Sequence, residues 1–182
     1  AYSSISQIGF ITLGISLVTT SGLIASVVHI ANHAITKGAV FLLLGCIAMN
    51  NKNLSIDKIK GLGKNMPLIA GGIVISGLSL VGIPGTVGFI SKWNLIFAIL
   101  DKGYWWLAII TLCSSLITII YIWKLIEIMY FKQADETNKP RKKVPLIMVL
   151  CSLFLVFLCV YFGINPSLPL DGATSAAQSL TR

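Results

Sequence analysis

Long apolar runs with few charges are the feature that most limits how this chain can fold. Residues 104–131 carry two charged side chains, and residues 144–163 carry none. Apolar runs of about 18 residues or more indicate transmembrane helices, because about 20 helical residues cross the hydrocarbon core of a bilayer. Only 11% of all residues are charged, whereas soluble domains carry about 25%. We therefore expect an all-α fold, a polytopic transmembrane helical bundle.

Turn-forming and polar stretches divide the chain into about six membrane segments and a tail. Trp105 and Trp106 stand at the start of one segment, where tryptophans anchor a helix at the membrane interface. The predicted segments are residues 1–19, 23–49, 66–82, 84–100, 104–131 and 144–163, followed by a polar C-terminal tail at 164–182 that we expect to be loosely held.

Charge and cysteine usage exclude several classes of function. The net charge of +8 comes mostly from Lys and Arg between the segments, which is typical of membrane topology and headgroup contact. Nucleic-acid binding needs a basic face on a water-exposed domain, and no such domain is predicted. The four cysteines lie in apolar segments without a CxxC pair, so we expect no disulfide framework, no metal site and no cofactor.

Three ionisable residues form a stripe within the second segment. His29, His33 and Lys37 are spaced i, i+4, i+8, so they drift only about 80° around a helix and climb about 12 Å along it. Ionisable residues within a span are costly and usually face a bundle interior or a wet cavity. Histidine exchanges protons near neutral pH, and desolvation can bring a buried lysine into that range. The stripe indicates a proton relay; the alternative is a snorkelling lysine with histidines that bond neighbouring helices.

A cluster of helix-breaking residues precedes a second lysine. Gly82, Pro84, Gly85 and Gly88 interrupt any regular helix just before Lys92. Broken helices in transporters expose backbone groups that water or ions can use, and Lys92 would then be a buried charge. The alternative is an ordinary interhelical turn with Lys92 at the interface.

Three further residues are secondary candidates for the pathway. Ser91 stands next to Lys92, and Lys124 and Glu127 are i, i+3 neighbours that can pair. Because Lys124 and Glu127 lie near the end of the fifth segment, interfacial pairing is the favoured interpretation for them. No HExxH, P-loop or GxGxxG motif is present, so nothing indicates metal, nucleotide or nucleophilic chemistry.

Four motifs resemble the antiporter-like membrane subunits shared by Mrp-type cation/proton antiporters, NADH–quinone oxidoreductase (subunits N, M and L) and membrane hydrogenases. They are AYSSISQIGF at 1–10, HIANHAITKGAVFLLLG at 29–45, GLGKNMP at 61–67 and SLVGIPGTVGFISKW at 79–93. Within the family, the SKW sequence and YIWKLIEIMYF at 121–131 look most like the D-type subunit of Mrp Na⁺/H⁺ antiporters. Family members often show two prolines at the break, whereas Gly85 follows Pro84 here.

The resemblance implies an inverted-repeat fold with one discontinuous helix, of which this chain would hold the latter part. It implies that Lys37 and Lys92 carry protons and that His29 and His33 line the same channel. The chain begins with Ala1 and no signal peptide, so we expect a fragment of a longer protein. The resemblance implies that this fragment is C-terminal, and we expect the protein in a bacterial cell membrane.

The sequence is compatible with three functions. The first is a subunit of a multisubunit cation/proton antiporter that moves H⁺ and Na⁺ beside other membrane subunits. The second is the homologous pump subunit of a quinone-reducing complex, which would make the chain part of an enzyme without a redox site of its own. The third is a structural membrane anchor without an ion path.

Overall fold

The computed structural model describes residues 2–49, 59–132 and 144–180, and helices are the only regular secondary structure within these ranges. Ala1 and the end of the predicted tail, residues 181–182, lie outside them. The all-α fold expected from the sequence is confirmed. The helices are α1 Tyr2–Ser16, α2 Thr20–Ala48, α3 Leu62–Asn65, α4 Pro67–Val81, α5 Val87–Asp101, α6 Trp105–Tyr130, α7 Leu146–Ile164 and α8 Ser167–Leu180.

Helix length separates two groups within the bundle. Three of the described helices, α2, α6 and α7, are long and apolar enough to cross a membrane by themselves. The 29 residues of α2 extend over about 43 Å, whereas α4 and α5 have 15 residues each and reach only about 22 Å. Neither short helix matches the length of α2 alone, but the two in succession do.

Helices α4 and α5 run one after the other along α2. The Thr36 and Ser79 hydroxyl oxygens, on α2 and α4, lie 3.2 Å apart. The Asn32 side-chain amide donates to the Val87 carbonyl at the start of α5, over 2.7 Å. The break between the short helices therefore faces the middle of α2, and α4 and α5 form one discontinuous helix antiparallel to it.

Glycine conformation explains where α4 ends. Gly82 adopts the left-handed conformation, with φ of +90°, and its N–H bonds to the Leu78 and Ser79 carbonyls. This is a conformation that residues with a Cβ adopt at a cost. Helix α5 then begins at Val87, with Thr86 in extended backbone before it. The irregular stretch is thus residues 82–86.

Gly88 does not break the helix, although it was predicted as part of the break. It lies in the first turn of α5, where the helix is regular. A Cβ at this position would overlap the backbone carbonyl of Ser79. Gly88 therefore permits close approach between the two halves of the discontinuous helix, whereas Gly82 ends the first half.

The polar tail expected after Gly163 forms a helix in the structure. Gly163, near the end of α7, packs directly on the backbone of Thr86 in the break. Helix α8 then follows the first half of α2, so that Leu180 reaches the α1–α2 turn. Ala173 and Ala177 are buried. The polar composition of this segment indicated a loosely held tail. Small residues four apart instead let the helix pack closely against α2.

Two apolar clusters lie at opposite ends of α2, and its buried polar residues fall between them. The cluster along the second half is built from α2, α3, α4, α6 and α7, and the cluster along the first half is built from α1, α2, α5 and α6. Members of the first include Leu43, Ile47, Ile73, Met129 and Val156; members of the second include Phe10, Ala25, Leu95, Ile99 and Ala108.

Candidate functional site

A layer of buried polar side chains separates the two apolar clusters at the level of the helix break. Four helices, α1, α2, α4 and α5, contribute to it. Burial of a polar group is costly unless the group finds a partner, and in a membrane such groups mark functional sites. The buried members of this polar layer are Gln7, His29, Asn32, Thr36, Lys37, Ser76, Ser79, Ser91 and Lys92.

Lys37 lies at one side of the polar layer, with only 7% of its surface exposed. Its ammonium donates a hydrogen bond to the Ser3 hydroxyl on α1. The Lys37 Nζ atom also lies 5.8 Å from the centroid of the Phe41 ring, one turn along α2. Among the described residues, one hydroxyl and one ring face therefore hold this cation.

His29 links α1 to α5 through both ring nitrogens. Its Nδ1 lies 2.8 Å from the Ser91 hydroxyl, and its Nε2 lies 3.1 Å from the Gln7 side-chain oxygen. An amide oxygen only accepts hydrogen bonds, so a neutral His29 that bonds the Gln7 oxygen carries its hydrogen on Nε2 and leaves Nδ1 as an acceptor. The Ser91 hydroxyl faces this Nδ1 and also lies 3.2 Å from the Gly88 carbonyl, so it can donate to either. The Phe10 and His29 rings pack nearly perpendicular to each other, with centroids 5.7 Å apart.

His33 borders a small polar cavity in the centre of the layer. The cavity has about 10 Å³ of internal space, close to what one water molecule needs. Three buried side-chain atoms of its lining have no hydrogen-bond partner among the described residues: Gln7 Nε2, Asn32 Oδ1 and His33 Nε2. The cavity therefore offers donors and acceptors to a small polar guest beside His29 and His33.

Lys92 points from α5 back to the end of α4. Its ammonium donates to the Leu80 and Val81 carbonyls, each at 2.9 Å, and to the Ser115 hydroxyl of α6 at 3.1 Å. The last carbonyls of a helix lack intrahelical partners and carry the negative end of its dipole. The helix break thus creates the site that holds the charge, and the Phe10 ring lies 5.1 Å from Nζ.

The structure groups some predicted site residues and leaves others apart. His29 and Ser91 are in contact, and Lys92 follows Ser91 on α5. Lys124 and Glu127 are exposed near the end of α6, and these two described residues form no ion pair with each other. They do not belong to the polar layer.

Several neutral members of the site were not predicted from the sequence. Asn32 and Thr36 follow the same i, i+4 spacing as the histidines and could have been found from it. Gln7 and Ser115 contact the histidine and the lysine across helix boundaries. Neutral polar residues are common enough in membrane helices that neither carried a local signal.

The sequence matches one family model, described as NADH:quinone oxidoreductase/Mrp antiporter, over residues 1–118. The chain belongs to this family. The matched region contains the entire polar layer and Ser115. The antiporter-like resemblance stated from the motifs is confirmed, and the chain is an integral membrane protein.

Two of the similar curated proteins are N subunits of NADH-quinone oxidoreductase. NADH-quinone oxidoreductase subunit N of Desulforudis audaxviator is 36% identical over 72% of this chain and 26% of its own length. The subunit N of Rhodospirillum rubrum is 31% identical over 100% of this chain and 37% of its own length. The chain thus spans between a quarter and two fifths of these curated relatives.

Two solved structures share the fold closely. A chain of the Mrp complex from a Dietzia species superimposes with a TM-score of 0.88 at 25% identity, covering 97% of this chain and 41% of that one. A chain of the archaeal membrane-bound sulfane sulfur reductase gives 0.87 at 32% identity, covering 97% and 36%. Both neighbours are parts of membrane complexes.

Proposed function

We propose that this chain moves protons through the membrane along its polar layer, as part of an ion-translocating subunit of a multisubunit complex. The observation that carries the proposal is the burial of Lys37, His29 and Lys92 at the level of a helix break, inside a bundle whose outer surface is apolar. A charge at this depth is costly, and such residues mark ion pathways in membrane proteins.

The proposed order of proton carriers follows α2 and then crosses to α5. Lys37, His33 and His29 succeed one another at intervals of one turn, about 6 Å of helix rise each. The His29–Ser91 hydrogen bond leads to the helix that bears Lys92. A water in the cavity beside His33 would bridge the longer gaps, because bridging waters transmit hydrogen bonds nearly as well as direct contacts.

Two sources of driving energy are compatible with this pathway. In an Mrp-type antiporter, where this chain would serve as the D-type subunit, a gradient of Na⁺ or another monovalent cation would drive H⁺ movement beside other membrane subunits. The similarity to the Dietzia Mrp chain supports this choice. In a quinone-reducing complex, redox chemistry elsewhere would drive the same path, and the relatives named subunit N support that alternative. Bacterial relatives favour a bacterial cell membrane.

Replacement of Lys37 tests the pathway. In vesicles that contain the assembled complex, Lys37→Ala should abolish proton movement while the complex still assembles, because the first carrier is lost. Lys124→Ala is the matched control, since Lys124 is exposed and outside the polar layer. Proton movement at the unmodified rate in Lys37→Ala vesicles would overturn the proposal and favour a structural anchor.

A second measurement separates the two driving forces. Vesicles supplied with a Na⁺ gradient alone should acidify or alkalinise if the chain serves an antiporter. Vesicles that respond only to NADH and a quinone would assign it to a redox-driven complex.

A further inference from the structure

We infer that Ser115 is a positioning residue that lets Lys92 alternate between its charged and neutral forms without losing a hydrogen-bond partner. The inference deepens the proposed function and rests on it. It starts from the three oxygen atoms around Lys92 Nζ, which differ in one chemical property: two belong to backbone carbonyls, and one belongs to a hydroxyl.

The charged lysine satisfies all three oxygens at once. An ammonium has three N–H donors and no acceptor. Lys92 directs these donors to the Leu80 carbonyl, the Val81 carbonyl and the Ser115 hydroxyl, at 2.9, 2.9 and 3.1 Å. The observed arrangement is therefore matched to the protonated side chain.

The neutral lysine needs a different set of partners. After it loses a proton, the amine has two N–H donors and one lone pair, which requires a donor. Carbonyl oxygens accept hydrogen bonds and cannot donate them, whereas a hydroxyl does both. Of the three oxygens, only Ser115 Oγ can face the lone pair while the two carbonyls keep their bonds from Lys92.

The Ser115 O–H group can rotate toward the Lys92 lone pair at a small cost in free energy. It donates to the Thr111 carbonyl over 3.3 Å, which is long for an O–H···O bond. The Thr111 carbonyl lies inside the regular helix α6, where a backbone N–H four residues on also serves it. Rotation of the hydroxyl from Thr111 to Lys92 thus gives up one long hydrogen bond and forms another across a 3.1 Å separation.

Four variants of the assembled complex in vesicles test the inference through the rate of proton movement. Ser115→Ala removes the hydroxyl, and we expect a loss of about tenfold, the effect of one missing hydrogen bond. Ser115→Cys keeps the shape but bonds weakly, and it should resemble Ser115→Ala. Ser115→Thr retains a hydroxyl, so its rate should lie within about twofold of that of the unmodified protein. Ser114→Ala, one residue along α6, is the control and should stay within the same limit.

The outcomes distinguish this inference from the proposed function. A Ser115→Cys rate equal to that of the unmodified protein would show that only side-chain volume matters, and would overturn the inference. A Ser115→Thr variant as slow as Ser115→Ala would overturn it too. Lys92→Ala is measured in parallel: if it moves protons at the unmodified rate, the proposed function itself fails, whatever Ser115 does.

Discussion

Lys37 and Lys92 have nearly the same small exposed fraction but are held in different ways. Their exposed fractions are 7% and 6%, and among the described residues neither bonds to a carboxylate. Lys92 donates to two carbonyls and a hydroxyl at the end of α4. Lys37 donates to the Ser3 hydroxyl and lies near an aromatic ring. Similar exposed fractions therefore coexist with very different numbers of bonds.

The difference follows from the helix that each lysine faces. Lys92 meets the end of a broken helix, whose last carbonyls have no intrahelical partner. Lys37 stands within the continuous α2, whose carbonyls in mid-helix are already bonded, so its partner comes from the side chains of α1. Lys92 consequently stabilises the end of α4 by bonding its last carbonyls, in addition to its proposed place in the pathway. Lys37 bonds a single hydroxyl and should contribute little to stability.

The largest effect should come from removing the two ammonium groups while keeping the side-chain stems. Lys92→Met leaves two buried carbonyls without a donor, so we expect a loss of about 3 kcal/mol in stability together with loss of proton movement. Lys37→Met should also stop proton movement but cost less than about 1 kcal/mol, because it releases a single hydroxyl.

The two lysine variants are compared by thermal unfolding of the purified complex and by the proton assay. Lys37→Met is the matched control for Lys92→Met, since the chemical change is identical. Equal shifts in unfolding temperature for both variants would contradict the assignment of a structural role to Lys92 alone.

A smaller effect is expected where the two halves of the broken helix touch. Gly88→Ala places a Cβ on the Ser79 carbonyl, and because backbone cannot yield, α5 must move away from α4. We expect a loss of about 2 kcal/mol and a slower proton rate, since Lys92 shifts from its oxygens. Gly172→Ala, in open space on α8, makes the same change within a helix without a clash, so it should leave the rate unchanged and the unfolding temperature equal or slightly higher. A Gly88→Ala protein as stable as Gly172→Ala would refute the close-approach role.

The sequence predicted those parts of the site whose signal is local. A charge inside an apolar run is costly wherever the chain goes, so Lys37 and Lys92 were identifiable from their neighbours alone. The break was identifiable because Pro84 restricts the backbone and lacks an N–H, and because Gly82 readily adopts the left-handed conformation that ends a helix. The all-α bundle followed from the apolar runs.

Contacts between helices could not be predicted in the same way. Gln7 and Ser115 are neutral, and nothing in their own segments shows that one meets His29 and the other Lys92. Helix α8 was hidden by its polar composition, because packing through Ala173 and Ala177 depends on close approach rather than on apolar area.

The smallest effect should separate His29 from His33, one turn apart on α2. His29→Ala removes the group that links Gln7 on α1 to Ser91 on α5, so we expect proton movement to slow about tenfold. His33→Ala should slow it only about threefold, because water beside Asn32 can replace a group that borders the cavity. The rate is measured from about pH 5 to pH 9, a range that brackets histidine titration. If both histidines relay protons, the double variant must change the shape of this profile; an unchanged profile would assign them to packing and leave the two lysines as the carriers.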